Sequence, residues 1–335
     1  MAELSAVYFA PFQGITTHIF RKVYAKHFQG VDKLYTPYFS NFEPGHALSA
    51  VKMRSLQNRA ESGIEVVPQV LSKSAEEILW LAQVCEQLGF RELNWNLGCP
   101  YPQVANKKRG SGMLPYPGMV DAILEQVMKS TGIRFSVKCR LGYYSADEAE
   151  ALLPVFNRYP ISELTIHPRI GKQLYSGEAD MEAFARISEG LTMPLAYNGD
   201  IFSVSDYLRF RTISPETTTL MLGRGLLRDP FLAGLLKGIA QPQNPGEVIR
   251  EFTEELYQSY RYDRNDNPSV LNALKEYWAY LSLSFDEPVK VFRKIRKSGN
   301  FADYEEAIRL IFNEYRWLGS MQATRLSDPD RSHGN

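Results

Sequence analysis

The chain has 335 residues and a formal net charge of zero, with 38 lysines and arginines against 38 aspartates and glutamates. Its composition, 44% hydrophobic and 23% charged, is that of a globular protein and excludes the disordered and collagenous classes. No apolar run approaches the roughly 20 residues that span a bilayer, and the N-terminus lacks a secretory signal, so we expect a cytoplasmic protein.

Short runs of β-branched and aromatic residues alternate with longer amphipathic segments up to residue 240. The short runs predict eight strands, at residues 7–10, 33–39, 65–71, 92–96, 134–140, 163–167, 195–198 and 218–222. The amphipathic segments predict helices at residues 75–88, 119–131, 147–158, 181–188 and 204–211. The expected N-caps of these helices are Ser74 and Ser203, and the expected C-caps are Gly89 and Gly132. Eight alternations over about 240 residues predict an α/β fold of the (β/α)8 TIM-barrel type.

A doubly wound sheet is the alternative architecture, but no G-x-G-x-x-G motif follows the first strand. The composition changes after residue 240, where the segment QPQNPG at 241–246 has the turn residues of a linker. Beyond it, helical spacing without a strand pattern predicts helices at 247–262, 270–283, 288–298 and 302–318. We therefore expect a barrel domain over residues 1–240, a small helical bundle over 246–320, and a disordered tail over 321–335.

The fifth predicted strand carries two cations toward the end of the barrel where active sites form, at the carboxyl ends of the strands. Alternation along this strand places Ser136, Lys138 and Arg140 on one face, opposite Cys139. Two cations aimed into a barrel mouth are costly without an anionic partner. Salt bridges to neighbouring acids are the alternative, but few acids lie at the other strand ends, which favours an anionic ligand.

Amide and imidazole side chains lie at the ends of neighbouring strands. The third strand contributes Gln69, the fourth contributes Asn94 and Asn96, and the sixth contributes His167. A lone histidine is as consistent with a satisfied core residue as with a ligand contact, even at a strand end. Together with the two cations, these donors suit a flat heterocycle that has carbonyls and ring nitrogens.

The seventh and eighth strands end in Asn198-Gly199-Asp200 and Gly223-Arg224-Gly225. Loops after these two strands are the usual phosphate site of such barrels, because glycine lets backbone N–H groups approach an anion. An arginine beside them adds a charge-assisted hydrogen bond. The two motifs therefore predict a phosphate site.

Cys99 follows the fourth strand between a glycine and a proline, which predicts a tight, exposed turn. A free thiol has a pKa of about 8.5, so it is mostly protonated at neutral pH and able to donate a proton. A buried, inert cysteine is the alternative, and we assign that state to Cys85 on its helix. The three cysteines lack C-x-x-C spacing, so we expect neither a disulfide framework nor a metal site.

Because the net charge is zero, any binding of nucleic acid must come from local basic patches. One patch lies in the loop after Cys99, which leads back to the barrel mouth, and the other covers one face of a C-terminal helix. Their residues are Lys107, Lys108 and Arg109 in the loop, and Lys290, Arg293, Lys294 and Lys297 on the helix. An ordinary solvated surface is the alternative, but together the patches predict a two-point contact for a polyanion.

These motifs together resemble the tRNA-dihydrouridine synthases, flavin enzymes that reduce uridine in tRNA. The resemblance covers nearly the whole chain, and the C-terminal helices look most like the bacterial C-type subgroup. The matching motifs, in chain order, are APFQGIT at 10–16, VPQVL at 67–71, NLGCP at 96–100, GSGML at 110–114, VKCRLG at 137–142, HPR at 167–169, YSG at 175–177, NGDI at 198–201 and GRG at 223–225.

The resemblance implies that residues 1–240 bind FMN over the barrel mouth, that residues 246–320 bind tRNA, and that NADPH or NADH reduces the flavin. Cys99 would be the general acid, protonating uracil C5 as hydride passes from flavin N5 to C6, while Asn96 and Arg140 orient the base. The implied FMN contacts are Pro11, Phe12, Gln13, Gln69, Lys138, His167, Asn198, Gly199, Asp200, Gly223 and Arg224. The two basic patches would hold the tRNA, and no obligatory protein partner is indicated.

Two other classes of function remain open. A small-molecule flavin reductase of the dihydroorotate dehydrogenase kind shares the barrel and FMN, but would leave the basic C-terminal helix without a purpose. A non-catalytic tRNA-binding module would have no use for Cys99 and the flavin-facing positions. We therefore favour the tRNA-modifying enzyme.

Overall fold

The computed structural model of the protein describes residues 3–57 and 63–321. Eight parallel strands close into a barrel in sequential order, and the first strand pairs with both the second and the eighth. The strands are β1 Ala6–Phe9, β2 Lys33–Phe39, β3 Glu65–Val70, β4 Glu92–Leu97, β5 Arg134–Gly142, β6 Leu164–Ile170, β7 Leu195–Tyr197 and β8 Thr219–Leu222. The predicted TIM barrel is confirmed, whereas the tail expected over 321–335 lies, apart from Met321, outside the described residues.

Helices follow the strands around the outside of the barrel. They are α1 His18–His27, α2 Ala50–Gln57, α3 Ala75–Gln87, α4 Pro102–Ala105, α5 Pro117–Ser130, α6 Glu148–Asn157, α7 Met181–Ser188, α8 Val204–Ile213, α9 Arg224–Arg228 and α10 Leu232–Leu236. Ser74 and Ser203 cap α3 and α8 as predicted, and Gly89 follows α3 with a φ of 77°. Each of the two predicted C-cap glycines lies one residue after the observed C-cap, which is Leu88 for α3 and the extended Thr131 for α5, and Gly132 does not share the positive φ of Gly89.

Helix α1 was not predicted, because polar side chains interrupt its apolar face. Arg21 is 1% exposed, and its guanidinium donates to the carbonyl oxygens of Thr16 and Ser55 at 2.8 and 2.9 Å. His18 is also buried on this helix. A buried arginine whose two terminal nitrogens donate hydrogen bonds is compatible with the core, but it hides the helical period from a reading of hydrophobicity.

The alternation along the strands separates the packed core from the polar mouth of the barrel. Cys139 packs outward in the main hydrophobic core between Val137 and Leu141, as the sequence predicts. Inside the barrel, a second cluster that includes Tyr35 and Val67 fills the space below the polar residues at the strand ends. The barrel is therefore a closed core whose polar mouth lies at the carboxyl ends of the strands, as in other proteins of this architecture.

The chain then continues into four further helices, which share a core with the barrel. They are α11 Pro245–Asp263, α12 Ser269–Leu281, α13 Pro288–Lys297 and α14 Phe301–Glu314. The ring of Phe252 on α11 lies 4.9 Å from that of Phe28, and the hydroxyls of Tyr260 and Thr17 are 2.7 Å apart. No helix in residues 3–57 and 63–321 combines the length and the apolar character needed to cross a membrane.

Trp278 anchors the interior of the C-terminal helices, so its truncation should destabilise the protein. The side chain is fully buried, contacts the ring of Phe285 at 6.0 Å, and donates its indole N–H to Tyr304 Oη at 3.0 Å. We expect Trp278→Ala to lower the free energy of unfolding by about 3–5 kcal/mol, measured by denaturant titration. Val289→Ala, at an exposed position on α13, is the control and should change it by less than about 0.5 kcal/mol. Equal effects of the two substitutions would contradict this assignment.

Candidate active site

A cavity of about 670 Å³ opens at the carboxyl ends of the barrel strands. Its volume is within the range of about 300–1,000 Å³ that small-molecule and cofactor sites occupy. The cavity is lined by every residue predicted to act as the general acid, to contact the uracil base or to bind FMN. These residues are Pro11, Phe12, Gln13, Gln69, Asn96, Cys99, Lys138, Arg140, His167, Asn198, Gly199, Asp200, Gly223 and Arg224.

The two basic patches lie outside this cavity. In the loop, Lys108 places its ammonium 4.2 Å from the ring centre of Tyr116, and Arg109 donates to Asn41 Oδ1 at 3.3 Å. Lys107 is exposed to solvent. Their contact with a substrate therefore stays a prediction.

On α13, two residues of the predicted basic face form salt bridges and two are exposed to solvent. Lys290 and Lys294 each lie 3.2 Å from a carboxylate, those of Glu287 and Glu314 respectively. Arg293 and Lys297 on the same helix are exposed. The helix buries Val291 and Ile295 on its opposite side, so the amphipathic pattern read from the sequence is present.

Lys138 is a cation without a counter-ion among the residues that the structure describes. Burial, and then the charge of Arg140, lowers the pKa of Lys138 to about 8. Arg140 itself donates from Nε to the Gly98 carbonyl at 3.1 Å and from Nη1 to the Ile170 carbonyl at 2.8 Å. Burial lowers its pKa to about 10, which leaves it charged at neutral pH. The predicted alternative, salt bridges between these cations and neighbouring acids, is therefore not found in the described ranges.

Cys99 is buried, so the predicted exposed turn is wrong. The residue is 8% exposed, because the following loop folds back over it. Ser111 donates to the Cys99 carbonyl from both its N–H, at 3.1 Å, and its hydroxyl, at 3.0 Å. The side chain packs in a small cluster beside Tyr38, which also lines the cavity. Burial raises the pKa of the thiol, against partial opposition from its hydrogen bonds and from the charges of Arg140 and Lys138, so the thiol is protonated at neutral pH.

An ion-paired cluster occupies the side of the cavity formed by the sixth to eighth strands. Asp200 accepts from Arg169 Nη2 and from Arg224 Nη2, each at 2.6 Å. Burial acts to raise the pKa of Asp200, but the hydrogen bond and charge of Arg169, together with the charge of Arg224, hold it below its usual value. Arg169 is almost fully buried, and its Nη1 lies 3.2 Å from His167 Nε2. Burial and the surrounding cations lower the pKa of His167 well below its usual value, so the imidazole is neutral.

The backbone approaches closely around the eighth-strand loop, as its glycines suggest. A Cβ atom on Gly223 would lie 3.1 Å from the ring of Phe12, which is closer than ordinary packing allows. At Gly223 the loop therefore brings backbone atoms, rather than a side chain, to this edge of the cavity. In the described ranges, no three His, Cys, Asp or Glu side chains come together to hold a metal ion.

Several residues of the cavity wall were not predicted. Glu276 and Tyr280 come from α12, more than 250 residues along the chain from the first-strand loop that they face. The Tyr280 ring lies 6.2 Å from that of Phe12. Tyr175 lies against two cations, with ring-centre distances of 5.4 Å to Arg140 and 5.1 Å to Arg224. The YSG motif could have indicated Tyr175, but no local pattern links α12 to the barrel mouth.

Comparison with known proteins identifies several relatives. The family model described as dihydrouridine synthase matches residues 8–311. The chain is 28% identical to tRNA-dihydrouridine synthase B of Pasteurella multocida, over 77% of this chain and 79% of that protein. It is 24% identical to a tRNA-dihydrouridine(16) synthase of Neisseria meningitidis, over 92% of this chain and 94% of that protein. A Vibrio parahaemolyticus protein of the same name is 25% identical, over 90% and 95% of the two chains.

Solved structures share the barrel fold at much lower identity. Histamine dehydrogenase from Rhizobium sp. 4-9 superposes with a TM-score of 0.52 at 11% identity, over 75% of this chain and 49% of that chain. Morphinone reductase gives a TM-score of 0.51 at 11% identity, over 74% and 90% of the two chains. Since the family model matches most of its length, the chain belongs to the dihydrouridine synthase family, a family of flavin-dependent oxidoreductases.

Proposed function

We propose that this enzyme reduces specific uridines of tRNA to 5,6-dihydrouridine, with FMN as its resident cofactor and NADPH or NADH as the reductant. One observation carries the proposal: the cavity holds both a buried, protonated thiol, Cys99, and a half-buried cation without a described counter-ion, Lys138. The relatives named as tRNA-dihydrouridine synthases support the choice of substrate. Action on tRNA would place the enzyme in the cytoplasm.

The donors of the cavity fit a flavin mononucleotide. Lys138 and Gln69 would address the polar edge of the ring system, where an unpaired cation offsets negative charge on the reduced ring. Bound there, FMN supplies the hydride that saturates uracil C6. The remaining proposed contacts are Pro11, Phe12 and Gln13 beside the ring, His167 toward the ribityl chain, and Asn198, Gly199, Asp200, Gly223 and Arg224 around the phosphate.

At the phosphate, Asp200 and Arg224 have different tasks. Both carboxylate oxygens of Asp200 accept from guanidinium groups. We therefore assign the carboxylate to holding Arg224 in place, while Arg224 and the glycine backbone meet the phosphate. A carboxylate in direct contact with phosphate would repel it, so this arrangement agrees better with the electrostatics than direct coordination by Asp200.

Cys99 donates the second hydrogen, as a proton to uracil C5. A general acid must be protonated before the reaction, and the raised pKa of the buried thiol ensures this at neutral pH. When the proton leaves, the charges of Arg140 and Lys138 stabilise the thiolate that remains. Lys138 and Arg140 therefore contact the bound flavin and uracil, respectively, and both stabilise the deprotonated Cys99.

Arg140 and Asn96 orient the target base. Arg140 has five N–H donors, and two described hydrogen bonds leave others for uracil carbonyls. Asn96 uses one amide N–H on Gln69, which leaves its second N–H for the base. Both side chains line the cavity beside Cys99.

The target base must leave the stack of the folded RNA, because a barrel mouth does not reach a stacked base. Residues 1–240 would form the FMN-binding catalytic domain and residues 246–320 the tRNA-binding domain. The proposed RNA contacts are Lys107, Lys108, Arg109, Lys290, Arg293, Lys294 and Lys297. Among these, Arg293 and Lys297 are exposed and have no described acidic partner, which suits them to phosphate.

Cys99→Ala should lower the rate of dihydrouridine formation at least about 100-fold, because the general acid is lost. The protein should keep its yellow flavin spectrum. The assay is nucleoside mass spectrometry of unmodified tRNA after reaction with NADPH. The matched control is Cys139→Ala, which removes a thiol that packs outward in the core. A wild-type rate for Cys99→Ala, or a colourless protein that rejects added FMN, would contradict the proposal.

Lys138→Met should stabilise the flavin-free protein while weakening FMN retention. The folded pKa of about 8 lies below the ordinary 10.5, so the unfolded chain holds this proton more tightly. The unpaired charge therefore costs stability below the folded pKa, and the cost fades as pH rises toward the unfolded pKa. The midpoint of thermal unfolding should thus rise on substitution at about pH 7, and rise less at about pH 9.5. Lys129→Met, at an exposed position, is the control; a pH-independent difference for Lys138→Met would refute the assignment.

Reversing the charge of both Arg293 and Lys297 should weaken tRNA binding and reduce its dependence on salt. Each lost phosphate contact lowers the slope of log affinity against log salt by about one, so a change of about two is expected. The measurement is a tRNA binding titration at several salt concentrations. Lys129→Glu, on barrel helix α5, should leave the slope unchanged. If the double variant keeps the wild-type slope, α13 does not contact the RNA backbone.

A further inference from the structure

A series of hydrogen-bonded side chains crosses the interior of the barrel, and it begins at a carboxylate. Glu92, at the start of β4, accepts the hydroxyl of Ser136 at 2.6 Å. Its other oxygen forms ion pairs with Lys33 Nζ at 2.8 Å and with Arg134 Nη2 at 3.5 Å, and an ion-paired carboxylate accepts hydrogen bonds but donates none. Ser136 Oγ in turn accepts from Asn94 Nδ2 at 2.9 Å.

From Asn94 the series continues through two more amides to the loop that carries Cys99. Asn94 Oδ1 accepts from Gln69 Nε2 at 2.8 Å, and Gln69 Oε1 accepts from Asn96 Nδ2 at 2.7 Å. Asn96 Oδ1 then accepts from the backbone N–H groups of Gly98, at 3.0 Å, and Cys99, at 2.9 Å. All three amide side chains are buried.

We call the side chains of Glu92, Ser136, Asn94, Gln69 and Asn96 the amide chain. Each member except Glu92 donates toward the carboxylate, and every member accepts from the Cys99 side. At one end the Glu92 carboxylate only accepts, and at the other end the backbone N–H groups of Gly98 and Cys99 only donate. Both ends therefore require every hydrogen bond of the amide chain to point toward Glu92. Turning a single amide around would place two donors or two acceptors face to face, inside the barrel and away from water.

We propose that Glu92, Ser136 and Asn94 are positioning residues for the general acid, and that the amide chain holds the Cys99 loop in its reactive conformation. The inference rests on the proposed role of Cys99. The carboxylate sets the orientation of the amides, and the last of them presents its oxygen to the Cys99 N–H. A displacement of about 1 Å at a reacting group can cost about 100-fold in rate, so a fixed loop matters for proton transfer.

The alternative, that the amide chain only fills space inside the barrel, explains its hydrogen bonds less well. The barrel interior also holds a cluster that includes Val67, Ala196 and Met221, so apolar side chains are able to fill space inside this barrel. A buried polar network is stabilising only when its members are satisfied, and no atom of the amide chain is left without a partner. Space filling requires neither the uniform direction of these hydrogen bonds nor their end at the backbone N–H of Cys99.

The test measures the alkylation rate of Cys99 by iodoacetamide across pH, in the purified flavoprotein, with the modified cysteine identified by mass spectrometry. Ser136→Ala removes the link to the carboxylate. Loss of one hydrogen bond of about 1 kcal/mol should increase loop opening, and hence the alkylation rate, about fivefold. Ser136→Thr keeps the hydroxyl and should restore the wild-type rate. The matched control is Ser162→Ala, since the buried Ser162 hydroxyl has no hydrogen-bond partner in the part of the chain that the structure describes.

Glu92→Gln tests the direction of the amide chain without removing atoms. Lys33 would hold the new carbonyl oxygen, so the new amide N–H groups would face the Ser136 hydroxyl and compete with Asn94. We expect the same increase in Cys99 alkylation, and a lower kcat for dihydrouridine formation at unchanged flavin content. This variant keeps the proposal testable if the extra methyl of Ser136→Thr is not accommodated.

Alkylation needs neither tRNA nor reductant, so its outcome is independent of the proposed function. Faster alkylation in Ser136→Ala and Glu92→Gln, but not in Ser162→Ala, supports the positioning role even if the wild-type protein makes no dihydrouridine. Wild-type alkylation rates and pH profiles in both variants overturn it. A fall in the unfolding midpoint alone, without a change at Cys99, also overturns it and assigns the amide chain to stability.

Discussion

The unpaired positive charge at the end of the fifth strand governs the chemistry of the cavity. Lys138 and Arg140 follow each other on the inner face of β5, and no described carboxylate neutralises them. Their field helps to keep His167 neutral and opposes the rise in the pKa of Cys99 that burial causes. Such an arrangement costs stability until an anion enters, which is typical of a binding site and not of a structural core. Asp200, an acidic residue of the same cavity, is already ion-paired with Arg169 and Arg224.

The C-terminal helices are part of the site and not merely attached to the barrel. Helix α11 shares an aromatic core with α1, and α12 contributes Glu276 and Tyr280 to the cavity wall. Helix α13, with its exposed cations, belongs to the same group of helices. In the proposed function, the surface that meets RNA is therefore joined through packed side chains to the wall that admits the base. This continuity gives a physical reason for a tRNA substrate in preference to a free pyrimidine.

Predictions from the sequence succeeded where a local pattern and a general rule of the fold acted together. The alternation in β5 sends Cys139 outward and Lys138 inward, since a strand has a strict period of two. The prediction failed for Cys99, because flanking glycine and proline indicate a turn but not what covers it. The loop that buries the thiol returns at Ser111, twelve residues later. Arg169 was read only as a motif residue, although it is buried between His167 and Asp200.

The sequence by itself determined the barrel, the strand ends that meet at its mouth and the polar residues that these strand ends contribute to the cavity. These follow from periodicity and from the rule that parallel strands present their carboxyl ends together. Only the tertiary structure decided the burial of the acid, the amide chain that leads to it, and the wall that α12 provides. Burial and hydrogen-bond direction depend on neighbours that are distant along the chain, and no local pattern encodes those distances.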